Sequence, residues 1–261
     1  MENAVLTTTN LSIGYRHKNQ VRTIASEINL SLRSGRLVAL VGANGIGKST
    51  LLRTITGIQM PIRGAVSLDG KSILSYSALE IAQRISLVLT EKLPPSNLTV
   101  FEVVALGRQP YTNWIGKLTN DDITQVKKAM ELVQIDQLSD KKHYELSDGQ
   151  LQKVLIARAL AQDTPLIILD EPTTHLDLVH KVSLFRLLKK LTSKTNKSIL
   201  FSTHDIEMAL QLSDEMIVMN SKNVWQQTPK SLIENDILSD LFEDESVTFD
   251  VVSQKFVFRN P

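Results

Sequence analysis

Apolar and polar positions along this chain follow two rhythms. Short unbroken apolar runs at 37–41, Leu166–Leu169 and 198–201 predict strands, and their lack of alternation predicts burial on both faces. Longer stretches of helical period predict helices near 99–106, over Asn120–Val133 and over Asp148–Ala161. Patterns at 6–15 and 27–32 predict antiparallel strands ahead of the first buried run, 85–89 predicts another strand, and alternation over 247–259 predicts a terminal hairpin. Strands that alternate with helices predict an α/β fold. The helices between about 92 and 162 predict a helical subdomain inserted in one domain spanning 1–261, with the hairpin at about 241–261.

Composition narrows the function classes. Charged residues make up 22% and hydrophobic ones 42%, which excludes a disordered chain. The 29 Lys and Arg against 28 Asp and Glu leave a formal charge of +1, so a nucleic-acid partner held by phosphate neutralisation is not expected. There is no cysteine, which removes disulfides, thiolate metal sites and thiol catalysis. The start has no basic-then-apolar leader and no run approaches a membrane span, so neither a secretory signal nor a transmembrane helix is expected.

The sharpest chemistry follows the first buried strand. Gly42, Ala43, Asn44, Gly45, Ile46, Gly47, Lys48 and Ser49 match G-x-x-x-x-G-K-[ST] between a predicted strand and a predicted helix. A loop that wraps phosphate with backbone N–H groups needs glycines for tight turns and close approach. The helix end, opening at Lys48 and running through Thr50, adds positive partial charge. Lys48 is expected to reach the β- and γ-phosphates, and the Ser49 hydroxyl to meet Mg²⁺. The strand 166–169 runs into Asp170 and Glu171, where α/β sheets place ligands. Asp170 is suited to hold Mg²⁺ through water and Glu171 to polarise an attacking water. His204, at the end of the next buried strand, is expected beside that acidic pair, within reach of a γ-phosphate.

Leu146, Ser147, Asp148, Gly149 and Gln150 stand just before a helix and ahead of the acidic strand. They resemble the signature motif of ATP-binding cassette (ABC) ATPases, with Asp148 where the family usually has Gly. Phosphate loop, signature, acidic strand and His204 follow in the family's order over nearly the whole chain. Asp177, in Thr174-His175-Leu176-Asp177, matches the family's D-loop, and Tyr15 stands where the family has an aromatic residue stacked on adenine. The resemblance implies a P-loop NTPase core with an antiparallel β subdomain and the helical insertion. It also implies an ATPase that binds ATP and Mg²⁺ as a head-to-tail homodimer. Each ATP would lie between one chain's phosphate loop and Ser147, Gly149 and Gln150 of the other.

The segment 103–114, with Pro110, Tyr111 and Trp114, resembles importer ATPases for iron–siderophore, haem and cobalamin uptake. That implies two integral membrane permease subunits, an extracytoplasmic substrate-binding protein acting through them, and a seat on the cytoplasmic face of the membrane. A soluble ABC ATPase acting on nucleic acid or protein complexes is the alternative. A small-molecule P-loop kinase is a third reading, but it leaves Ser147–Gln150 unexplained. The chain also departs from the family where a Gln usually meets Mg²⁺, since it reads Thr90-Glu91-Lys92 there. Alignment puts Thr90 at the Gln position, while the longer Glu91 would be the stronger metal ligand.

Overall fold

The computed structural model describes residues 4–18, 20–89, 96–174, 176–239, 241, 246–251 and 253–258. In chain order its first elements are β1 (Ala4–His17), β2 (Gln20–Ile28), β3 (Ser31–Arg33), β4 (Leu37–Gly42), α1 (Lys48–Ile55), β5 (Arg63–Leu68), β6 (Lys71–Ser72), α2 (Ala78–Ala82) and β7 (Ile85–Val88). Then come α3 (Val100–Ala105), α4 (Asn120–Val133), α5 (Asp148–Ala161), β8 (Leu166–Leu169), α6 (Leu178–Thr195), β9 (Ser198–Ser202) and α7 (Ile206–Leu212). The last are β10 (Glu215–Met219), β11 (Val224–Gln227), α8 (Pro229–Glu234), β12 (Val247–Asp250) and β13 (Lys255–Phe258).

Among the described residues the central sheet has the order β11-β10-β4-β9-β8-β7. It is parallel except where β11 runs against β10. Every residue of β4 is buried, as its unbroken apolar run requires. Leu37, Ala39 and Val41 point into the core shared with α3, α4, α5 and α6. Val38 and Leu40 point into a second core with β1, β5 and α1, where Leu51, Leu52 and Ile55 are buried. Each such side chain contributes roughly 1.5–3 kcal/mol by leaving water.

The second sheet, β2-β1-β5-β6 with β3 also on β1, is antiparallel and covers the second core. The sequence pattern at 27–32 predicted one strand there, and the structure has two. Glu27 takes φ 57°, and Asn29 Nδ2 donates to Glu27 O at 2.9 Å. Asn29 Oδ1 accepts from Asn10 N at 2.9 Å. A left-handed residue leaves the extended region, so the ladder shifts register between Ala25 and Ile28 and β2 ends there; β2 pairs with residues 11–17 of β1, and β3 with residues 4–7.

Helices α3, α4 and α5 pack through Val103, Val104, Val126, Met130, Val154 and Leu155. Each opens on a reciprocal cap, Thr99 with Glu102, Thr119 with Asp122 and Ser147 with Gln150. The helix predicted at 99–106 is α3, capped by Thr99, and the chain then tightens into a 3₁₀ turn over Leu106–Tyr111. Gly107 is required in that turn, because a Cβ would lie 2.2 Å from Arg158 O of α5. Next to it, buried Arg108 donates from Nε to Asp122 Oδ1 at 2.9 Å and from Nη1 to Ala161 O at 2.8 Å. The guanidinium also lies 4.1 Å from the centre of the Tyr111 ring. At the far end of the chain, β12 and β13 form the hairpin, with Phe249 and Phe256 edge to face at 5.1 Å.

Candidate active site

β4 delivers the phosphate-loop sequence to the carboxyl edge of the central sheet. At Gly42 a Cβ would sit 2.6 Å from Met219 O of β10. Gly47 has φ 113°, and a Cβ there would sit 2.6 Å from Ile24 Cγ2. Only glycine fits both the space and the left-handed turn. No side chain caps α1, so its first N–H groups face the loop's concavity. Lys48 is buried and donates from Nζ to Gly42 O at 2.9 Å and Ala43 O at 3.1 Å. Burial pushes its pKa down, while the Glu171 and Asp170 carboxylates push it up.

A cleft of about 520 Å³ opens over this loop, lined by residues 44–50, Tyr15, Ile24 and Glu171 among others. Tyr15 is half exposed on its wall, with its hydroxyl 2.9 Å from Thr50 Oγ1. Ser49 is exposed beside the buried Lys48.

Register explains the acidic side. β8 and β9 run parallel with Leu169 opposite Phe201, so the residues that follow meet past the strand ends. The Ser202 hydroxyl accepts from Glu171 N at 2.8 Å and donates to Asp170 Oδ1 at 2.6 Å. Glu171 takes φ 49°, a sparsely populated conformation for a residue with a Cβ. Its Oε1 lies 2.6 Å from His204 Nε2, and its Oε2 accepts from Thr174 Oγ1 at 3.3 Å. A carboxylate only accepts, so Nε2 carries the hydrogen. Lys48, Asp170, Glu171 and His204 thus gather around one end of the sheet.

Ser147, Gly149 and Gln150 lie elsewhere. They line a separate cavity of about 180 Å³ with Lys153, Leu176 and His180. Gln150 N donates to Ser147 Oγ at 3.3 Å and Ser147 N donates to Gln150 Oε1 at 3.1 Å. The Ser147 O–H and the Gln150 NH₂ therefore stay available as donors. Asp148 is exposed at the first position of α5. Asp177 caps α6, accepting from His180 N at 2.9 Å, and this N–H, then the His180 ring, hold its carboxyl below the usual range.

Among the residues at these sites that the sequence does not single out are Ser202, His180 and Ile24. Ser202 ends a buried strand, and only the register with β8 reveals its partners. Thr90, Glu91 and His175 lie outside the described residues.

Residues 25–174, more than half of the chain, match the family model described as ABC transporter. The iron(3+)-hydroxamate import ATP-binding protein of Bacillus subtilis is 37% identical over 91% of this chain and 87% of its own length. The ferric enterobactin transport ATP-binding protein of Escherichia coli is 35% identical over 84% of this chain and 82% of its own. A solved inward-facing transporter assigned to the metal-chelate type covers 97% of this chain and 95% of the matched chain, with 28% identity and a TM-score of 0.79. With its glycine-lined loop, buried lysine and acidic strand end, the chain belongs to the ABC transporter family and is an ATP-hydrolysing subunit, similar to those of siderophore importers.

Proposed function

We propose that this chain powers uptake of ferric siderophores, as a head-to-tail homodimer seated on two membrane permease subunits at the cytoplasmic face. The observation that carries this reading is the reach of the similarity. Likeness to the hydroxamate importer subunit extends over 91% of the chain, and to the metal-chelate structure over 97%, so it takes in the helices as well as the ATP core. The aromatic surface beyond Arg108 supports it, since Trp114 is 93% exposed and Tyr111 partly so, as a docking face for a permease helix requires. Among the described residues no helix is long and apolar enough to cross a membrane.

The residues of the cleft fit Mg-ATP. The loop N–H groups and the end of α1 take the phosphates, and the third Lys48 hydrogen, unused by Gly42 O and Ala43 O, is available to the γ-phosphate. Tyr15, half exposed on the wall, offers its ring to adenine. Ser49 and Asp170 would hold Mg²⁺, in keeping with a hard cation that keeps several waters and takes few protein oxygens. Bound there, the metal would neutralise charge on the β- and γ-phosphates. Glu171 acts as general base on the attacking water. His204 holds its Oε1, and Oε2, bonded among the described residues only by the Thr174 hydroxyl at 3.3 Å, keeps a lone pair for the water. Donors on Ser147, Gly149 and Gln150 complete the site from the partner subunit, and the Asp177 turn lies beside them. No nucleic acid is involved.

Glu171→Gln should retain ATP and trap the dimer, with hydrolysis slowed by about 10²-fold or more. In a deletion strain, uptake of ferric hydroxamates, ferric catecholates, haem and cobalamin should be measured side by side. Loss confined to the ferric siderophores is expected; loss confined to haem or cobalamin would reassign the cargo. Purification of the chain from membranes with no hydrophobic subunits attached would favour the soluble ABC ATPase instead.

A further inference from the structure

His180 stands in the first turn of α6, where it touches two segments far apart in the sequence. Its backbone N–H and its ring Nδ1 both bond Asp177 Oδ1, at 2.9 and 2.8 Å. The carboxylate only accepts, so Nδ1 carries the hydrogen, and the opposite edge of the ring is free to face elsewhere. That edge lies against Gly149. A Cβ at 149 would sit 3.1 Å from His180 Cδ2 and 3.8 Å from Nε2. Gly149 is the second residue of α5, flanked by the reciprocal cap of Ser147 and Gln150. Its bare Cα is what lets an imidazole lie on the end of that helix.

Capping alone does not account for the ring. The backbone N–H of His180 already satisfies the Asp177 cap, as any residue at this position would. The imidazole adds a second bond to the same oxygen and extends to another helix. Asp177 and His180 are both more than half exposed, so the ring joins the two turns on their solvent side, while Leu146 and Leu176 pack on the core below. A planar group with two side-chain torsions, bonded to Asp177 at one edge and packed on Gly149 at the other, sets the spacing at which the two turns rest.

We propose that His180 is a positioning residue that joins the Asp177 turn to the Ser147–Gln150 turn, so that both meet the partner subunit as one rigid edge. This rests on the dimer reading above. Ordering the edge within one chain lowers the ordering left to be done when two chains close over ATP. ATP binding to the single chain should be untouched, because His180 does not line the cleft of about 520 Å³ that holds the phosphate loop.

Two substitutions separate bridging from capping. In His180→Asn the side-chain nitrogen falls near the place of Nδ1 and keeps the bond to Asp177, but nothing reaches Gly149. In His180→Phe a ring of similar breadth covers Gly149 and the bond to Asp177 is lost. Both go into the full-length Glu171→Gln chain, and Mg-ATP-driven dimerisation is followed by light scattering over a series of chain concentrations, with the single chain's ATP affinity read by calorimetry below the concentrations at which it dimerises. Both should weaken dimerisation by about tenfold, the scale of a typical coupling between sites, at unchanged ATP affinity. If His180→Asn dimerises as well as its parent, the ring only caps and the inference is overturned. If the parent Glu171→Gln chain itself stays monomeric with ATP, the dimer reading fails and the inference falls with it.

Discussion

Ser202→Ala is the most informative single change at the acidic end of the sheet. The hydroxyl is fully buried, accepts from Glu171 N and donates to the Asp170 carboxylate. A hydrogen bond to a charged group contributes about 1.5–3 kcal/mol, and an N–H left without a partner costs about 1–3 kcal/mol. Overlap between the two terms puts the expected loss of stability at about 2–4 kcal/mol. Glu171 magnifies the effect on chemistry. Its φ of 49° is held by its surroundings, and such a conformation costs about 1–3 kcal/mol. Without Ser202 the peptide is free to relax, and the carboxylate drifts from His204. Misplacing a catalytic group by about 1 Å costs about 10²-fold in rate. Affinity for ATP without Mg²⁺ should stay within about twofold, because β9 pairs with β4 through its backbone, which the substitution keeps. Among the described residues the Ser202 hydroxyl bonds only the acidic pair. Urea unfolding gives the first quantity, single-turnover hydrolysis at saturating ATP the second, and calorimetry the third. Ser202→Thr, which restores the hydroxyl, should recover part of the rate. A Ser202→Ala chain that hydrolyses at the wild-type rate despite lowered stability would refute the positioning argument.

Lys48→Ala should weaken ATP binding by about 10²-fold, since the loop loses its side-chain cation, and calorimetry reads this directly. Its folded pKa lies below the unfolded one, so the ammonium opposes folding at neutral pH, and thermal stability should hold or rise. Asp148→Gly removes an exposed carboxylate that would face the partner's triphosphate, so ATP-driven dimerisation should tighten and become less salt-dependent in light scattering. No change in either would make Asp148 a solvated helix-start residue, favourable to the dipole and nothing more. Arg108→Met strands the buried Asp122 carboxylate and should cost about 3–5 kcal/mol in urea unfolding, with part recovered by adding Asp122→Asn. The Thr119 N–H first, then the Thr119 hydroxyl and Arg108, hold the Asp122 pKa down against burial. Its stabilisation is thus complete above the ordinary carboxylate range and lost as pH falls through the lowered value, so Arg108→Met should move acid unfolding to higher pH.

The parts legible in the sequence were those whose causes are local. The unbroken run of β4 announced burial on both faces, and the period of α4 and α5 carried their bounds from Asn120 to Val133 and from Asp148 to Ala161. The phosphate loop was legible because its glycines, lysine and serine are contiguous. What stayed hidden depends on which strand lies beside which. Ser202 takes its meaning from the register of β9 against β8, and His180 from the proximity of α6 to the end of α5. The strand pattern at 27–32 misled because hydrophobic alternation carries no sign of a left-handed residue such as Glu27. The Asn29 side chain that stabilises the break is its only local trace.

Helix α5 has Ser147 at one end and, at the other, the Ala161 carbonyl that Arg108 holds. At 14 residues it is a rod about 21 Å long. Pivoted at the serine end, a tilt of about 10° would sweep the far end through about 4 Å on that length. Arg108, bonded to the Ala161 carbonyl, also lies over the Tyr111 ring, so that end of α5 is tied to the exposed aromatic surface. If Tyr111 and Trp114 face a permease as proposed, a small tilt at the serine end and a larger displacement at the aromatic surface would be one motion of the same rod.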